Sequence, residues 1–175
     1  MKQIALRGKA GKGLFALVDD DDYKYLNQFK WYVQKQKAIN YARRNLPVNA
    51  EGKTLQVKMH RELLNLKNSK ILGEHKNHNG LDNQRHNIRK SSVSENAKNK
   101  RCKKCSKSKY LGVGLLTCKR RGKLYKYWVS HILIKGKDKH IGCFPHTKEG
   151  EMSAAKRYDS YAKKVHKEFA NPNFL

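Results

Sequence analysis

Carboxylates are scarce in this chain: 14 Asp and Glu stand against 40 Lys and Arg, for a net charge of +26. A folded body of that charge repels itself unless counterions or a polyanion lie on it. The expected partner is therefore a polyanion, with nucleic acid the leading class and RNA open beside DNA. The chain also lacks a long amphipathic stretch rich in Lys and Leu, which argues against a membrane surface. It has no run of about eighteen apolar residues, so no transmembrane helix is expected. The opening Met1, Lys2, Gln3, Ile4, Ala5 and Leu6 give way at once to Arg7. That is too short an apolar run for a signal peptide. These absences place the protein inside the cell. Four cysteines are too few for a disulfide scaffold. Aromatics, at 9%, can furnish a core, which excludes wholesale disorder.

A length of 175 residues suits one domain or two small ones. Residues 1–54 read as a small α+β region. Leu14, Phe15, Ala16, Leu17 and Val18 suggest a strand, and Asp19 to Asp22 supply a cap for a helix through Tyr23 and Leu26. Further strands are expected around Trp31 to Val33 and Ile39 to Arg43, and Thr54 to His60 should feed a short helix. Another helix is expected from Ser92 or Ser94 to Lys98. Residues 98–109 carry six lysines and one arginine with almost no apolar side chain, and 101–109 read as a basic linker. Its Lys100, Arg101, Lys103, Lys104, Lys107 and Lys109 are candidate phosphate contacts. Residues 110–175 predict three strands with turns at Gly122 and Gly136, then a helix to about Phe169. Ala154, Ala155, Tyr158, Tyr161, Ala162, Val165 and Phe169 mark its buried face. The sheet's other face stays open, with Lys119, Arg120, Arg121, Lys126, Lys135, Lys137 and Lys139 nearby. A ribbon of this size suits a major groove.

The chemistry-bearing stretch runs from Gly73 to Asn83 and closes at Asn87 and Asn96. It joins a carboxylate, Glu74, to an adjacent imidazole, His75, and a run of amides. A divalent cation on a phosphate needs hard oxygen ligands, which Glu74 and Asn96 could supply. On a strand, His75 would point away from Glu74, where an imidazole is suited to deprotonate water.

Residues 55–100 resemble the HNH nucleases, specifically the phage and intron homing endonucleases. The likeness lies in Met59, His60, Arg61, Glu62, Leu63, Leu64 and Asn65, in the loop from Glu74 to Arg89, and in Ser94, Glu95, Asn96, Ala97, Lys98 and Asn99. The resemblance implies a ββα-metal core. His75 would be the general base, Glu74 and Asn96 the ligands of one Mg or Mn ion, Asn87 a brace for the loop, and His60 a supporting residue. Arg89 could steady the phosphate. Glu74 stands where the family usually has Asp, and its extra methylene moves the carboxylate at a site sensitive to such shifts. His78 and His86 depart from the pattern too, and read as solvated or phosphate-contacting residues.

Residues 110–175 resemble the APETALA/ethylene-response DNA-binding domain. Ser108 to Val113, Trp128 and Val129, Ile141 to Phe144, Ala154 to Asp159 and Glu168 to Phe174 carry the likeness. It implies a sheet lying in the major groove with the helix behind. Cys102 and Cys105 have half-site zinc spacing, which Cys118 and Cys143 could complete, although Cys143 reads equally as a small buried hydrophobe.

The combined expectation is an α+β chain: a nuclease core, then a three-stranded antiparallel sheet packed on one helix. It would act as a site-specific, metal-dependent DNA endonuclease, monomeric on double-stranded DNA. The alternative is a sequence-specific DNA-binding protein with a catalytically decayed nuclease core. A basic RNA-binding protein is the third class.

Overall fold

The computed structural model describes residues 1–49, 51–99 and 107–174. They form an α+β chain that divides into two compact units, residues 1–94 and 95–175.

The first unit opens with a hairpin of β1 (Lys2–Ala5) and β2 (Phe15–Val18). Its alternation turns Ile4, Ala16 and Val18 inward. α1 (Asp20–Leu26) follows, and then a three-stranded antiparallel sheet of β3 (Tyr32–Gln36), β4 (Ile39–Val48) and β5 (Thr54–Lys58). α2 (Met59–Leu63) leads to the hairpin of β6 (Leu72–His75) and β7 (Ile88–Ser91). One core unites these pieces: Ile4, Leu6, Ala16, Val18, Leu26, Trp31, Ala42 and Met59 are buried together. A boundary between residues 54 and 55 therefore falls inside β5, and the core draws on both sides of it. Trp31 donates its indole N–H to the carbonyl of Leu26 at 2.8 Å, so the largest core side chain leaves no polar atom unpaired.

The acidic run supplies the N-cap residue of α1 as expected, but not a capping bond. Asp19 occupies the N-cap position but makes no side-chain bond to its own helix. Its carboxylate accepts the backbone N–H of Arg85 at 2.7 Å and the Gln84 amide at 3.3 Å. Asp22 accepts both arms of the Arg85 guanidinium, at 2.8 and 2.7 Å. Hydrogen bonds from another segment to the Asp19 carboxylate take the place of a cap that water can replace.

α3 (Val93–Lys98) spans the division between the units. The second unit holds β8 (Val113–Arg120), β9 (Lys123–Ile134) and β10 (Lys137–Pro145), antiparallel in the order β10-β9-β8, with α4 (Lys148–His166) across one face. The hairpins turn at Arg121-Gly122 and Lys135-Gly136 with positive φ at both central residues, the tight-turn geometry that follows strand twist. Thr147 caps α4 by accepting the Gly150 N–H at 3.0 Å. Ala154, Ala155, Tyr158, Ala162 and His166 form its buried face. Val165 lies outside that stripe, and α4 ends at His166 because Lys167 turns left-handed at φ 50°. Gly112, at φ 72°, is obligatory: a Cβ there would lie 2.0 Å from the Tyr158 ring.

Among the described residues, no helix is long and apolar enough to cross a membrane.

The C-terminal residues are clasped by Asp159, which is buried. Its carboxylate accepts the Asn173 N–H at 2.8 Å, the Asn173 side-chain amide at 3.0 Å and the Phe174 N–H at 2.9 Å. Asn173 in turn pairs with both backbone polar groups of Leu111. Asp159→Ala should cost about 3 kcal/mol, since hydrogen bonds to a charged acceptor contribute roughly 1.5–3 kcal/mol each and do not add fully. Denaturant unfolding of the whole chain checks this; a loss below about 1 kcal/mol would show that the clasp is not structural.

Candidate functional site

The amide-rich loop between β6 and β7 is organised by its own side chains. Asn77 accepts the Asn79 N–H at 2.9 Å and Asn79 accepts the Leu81 N–H at 3.1 Å, two short side-chain turns in succession. Asn87 ties the two ends together: its oxygen accepts the Asn77 N–H at 3.1 Å and its amide donates to the Asp82 carbonyl at 2.7 Å. Asp82 accepts the Asn77 amide at 2.7 Å. The loop also adds to β2, because Leu17 donates to Leu81 and accepts from Asn83, each at 2.8 Å. The loop amides Asn77, Asn79 and Asn87 are thus joined to one another and to the backbone.

His75 ends β6, buried, with Nε2 3.3 Å from the Asn83 side-chain oxygen. His60, from α2, meets it edge-on at 4.6 Å between ring centroids. Tyr41, from β4, sits 5.7 Å from His60 and 5.8 Å from His75. The sequence separation of these three conceals the cluster, and Tyr41 and Asn83 carried no signal that placed them there. Gly73 makes the packing possible, since a Cβ at that position would lie 2.6 Å from the His60 ring. Burial pushes both imidazoles toward the neutral form, His60 down to about 2 with help from His75 and Lys58. His75 is also lowered by burial, against the raising effect of Asn83 and Asp82. His60 Nδ1 is buried without a hydrogen-bond partner.

Glu74 is buried and forms an ion pair with Arg89, its direct cross-strand neighbour. One carboxylate oxygen meets the guanidinium; the other is buried without a hydrogen-bond partner. Arg89, expected on phosphate, has a side chain only 11% exposed. Asn96 belongs to the second unit.

These facts correct the catalytic expectation. Among the described residues, no group of three or more His, Cys, Asp or Glu could hold a metal ion. The ββα-metal core, the bound Mg or Mn, and with them metal-dependent endonuclease activity with His75 as base are not supported. The physical reason is local: Glu74 faces a guanidinium where a cation would have to sit. The four-thiolate zinc site is likewise not assembled among the described residues. Cys118 and Cys143 are free, and Cys102 and Cys105 fall outside the described residues.

Of the other expected DNA contacts, Lys100, Arg101, Lys103 and Lys104 also fall outside the described residues. Lys107, Lys109, Lys119, Arg120, Arg121, Lys126, Lys137 and Lys139 are all exposed. Register assigns them to faces. Lys126, Lys137 and Lys139 pair with Thr117, Ile134 and Ile132, and so share the α4 side with Trp128 and Ile132. Arg120 lies with Cys118 on the opposite, open side. That open face carries Leu116, Tyr125, Tyr127, Val129, His131 and Leu133, so it is aromatic and apolar with the cations at its rim.

Two outcomes follow. The folded His60 value lies below the unfolded one, so the unfolded chain binds the proton more readily. The stabilisation is complete above about pH 6.5 and declines as pH falls, by up to about 1.4 kcal/mol per unit for each neutral buried imidazole. His60→Phe should remove one imidazole's share of that slope in urea unfolding; an unchanged slope would contradict the assignment. Arg89→Met should destabilise by about 3–5 kcal/mol by stranding Glu74, and adding Glu74→Gln should restore part of it. Additive losses in the double variant would refute the pairing.

No family model, curated protein or solved structure is found to match this chain.

Proposed function

We propose that this chain is a sequence-specific binder of double-stranded DNA, built around an HNH-like core that does not assemble a metal centre. The observation that carries the reading is the coincidence of a net charge of +26 with the capture of Glu74 by Arg89. The charge calls for a polyanion, and the ion pair removes the one carboxylate placed to serve a hydrolytic cation. In this reading the core is a scaffold and the second unit makes base contacts. The open face of β8, β9 and β10 offers Tyr127, Val129, His131 and Leu116 for apolar and polar contact with base edges. Arg120 and Arg121 at its rim reach phosphates, while Lys119, paired with Leu124, lies on the α4 side. Phosphate contacts set affinity and register, while base-edge contacts set sequence preference.

Binding should be strongly salt-dependent: with about 6–10 phosphate contacts, affinity falls by roughly 10³–10⁵ between about 50 and 200 mM salt. Fluorescence anisotropy on duplexes selected from a random library checks this. Arg121→Ala should weaken all duplexes alike and reduce the log–log salt slope by about 1, whereas His131→Ala should relax preference at one position. Equal affinity for duplex DNA and single-stranded RNA would contradict the reading. So would Mg²⁺-dependent or Mn²⁺-dependent cleavage that is lost in His75→Ala.

A further inference from the structure

We propose that the Arg43, Asn45 and Gln56 end of one face of β3, β4 and β5 is a second surface that reads base edges in duplex DNA, distinct from the open sheet of the second unit. The inference rests on the DNA-binding reading above and deepens it.

The argument begins with register. Tyr32 pairs with Arg43, Gln34 with Tyr41, Gln36 with Ile39, Arg43 with Lys58, and Asn45 with Gln56. Alternation puts these residues on one face. Val33 and Ala42 occupy the other, packed into the core. The first face therefore carries Gln34, Gln36, Asn45 and Gln56 together with Arg43, Lys58 and two tyrosines. Ile39 and Tyr41 lie under the β6–β7 segment, against Gly80 and the His60 and His75 rings, so the side chains left to read bases are Arg43, Asn45 and Gln56 at the other end. The strand residues of this face include no carboxylate. Gln36, Asn45 and Gln56 are exposed, and Gln34 and Arg43 half-buried.

Amides and an arginine are the side chains that read base edges in the major groove: Asn or Gln bidentate to adenine, Arg bidentate to guanine. Three strands spaced about 4.8 Å apart make a ribbon roughly 10 Å across, within a groove about 12 Å wide. Two bonds preorganise the set. Arg43 donates to the Asn45 oxygen at 3.2 Å, and Lys58 donates to the Gln36 oxygen at 2.7 Å. The Lys58 ammonium also lies 4.4 Å from the centre of the Tyr41 ring. Lys37, in the β3–β4 turn, is an exposed cation at the sheet's margin, suited to a phosphate, while Lys53, just before β5, pairs with Glu51. Strand residues that include Arg43 and Lys58 and no carboxylate match this face to the nucleic-acid partner.

The test selects duplexes from a random library with the full chain and with the variant Arg43→Ala/Asn45→Ala/Gln56→Ala. The wild-type chain should enrich two blocks of sequence preference. The variant should lose one block, keep the other, and bind the selected site at least about tenfold more weakly, as the loss of a single bidentate contact implies. Far-UV circular dichroism and thermal unfolding check that the variant is folded. A second, single change, Gln56→Arg, should move the preference at one position of that block towards guanine. An RNA duplex of the selected sequence should compete far less well, because its major groove is too narrow for the sheet. The inference fails alone if wild-type enriches a site and the variants select it unchanged with equal affinity; an RNA duplex that competes equally overturns the DNA-binding reading and this inference together. If wild-type enriches no duplex, the DNA-binding reading itself fails and takes this inference with it.

Discussion

In a chain with 14 carboxylates and 40 basic side chains, where each carboxylate goes governs much of the fold. Unlike charges close together in a partly buried site attract by several kcal/mol, and like charges repel by as much. Here the carboxylates at the joints of the fold face inward. Asp22 holds Arg85, and Asp19 holds the backbone beside it. Glu62 accepts two bonds from Arg44 and one from Tyr25, and that arrangement raises both the Arg44 and the Tyr25 pKa. Glu74 faces Arg89. In the second unit, Glu151 accepts the Ser108 hydroxyl and Asp159 clasps the chain's end. Each of these carboxylates fastens one segment to another far along the chain, and most of the surplus cations stay outside.

That distribution bears directly on function. A hydrolytic cation needs oxygen ligands left exposed to it. The carboxylate in the right stretch has a guanidinium opposite it, and the neighbouring imidazoles are buried, neutral and packed against Tyr41. What the fold leaves outside is cationic, with two sheet faces of different character: aromatic and apolar in the second unit, amide-bearing in the first. On the DNA-binding reading proposed above, each face would meet base edges with its own chemistry.

Local features were legible in the sequence. The left-handed turns at Gly122 and Gly136 were readable because glycine marks them, and the buried stripe of α4 because period 3.6 is visible in Ala154, Ala155, Tyr158 and Ala162. Val165 fell off the stripe where Lys167 breaks the helix. Asp19 does sit at the N-cap of α1, but the bonds its side chain makes were not readable because Gln84 and Arg85 lie more than sixty positions away. The catalytic expectation failed on Glu74 for a subtler reason. Residue types were right for a metal site, but their use depended on the β6–β7 register, which sets Arg89 directly opposite. A hairpin drawn through Gly73 and Lys90 would have exposed that pairing. The Tyr41, His60 and His75 cluster had no such signal, since it arises from three separate elements.

The central claim is that Glu74 is held by Arg89 and not available to a cation. Titrating the full chain with Mn²⁺ while following backbone amide signals by NMR tests it most directly. The account predicts no saturable paramagnetic broadening centred on Glu74, His75 and Asn83 in the wild-type chain. Stoichiometric, saturable broadening of those three amides, reversed by a chelator, would contradict it.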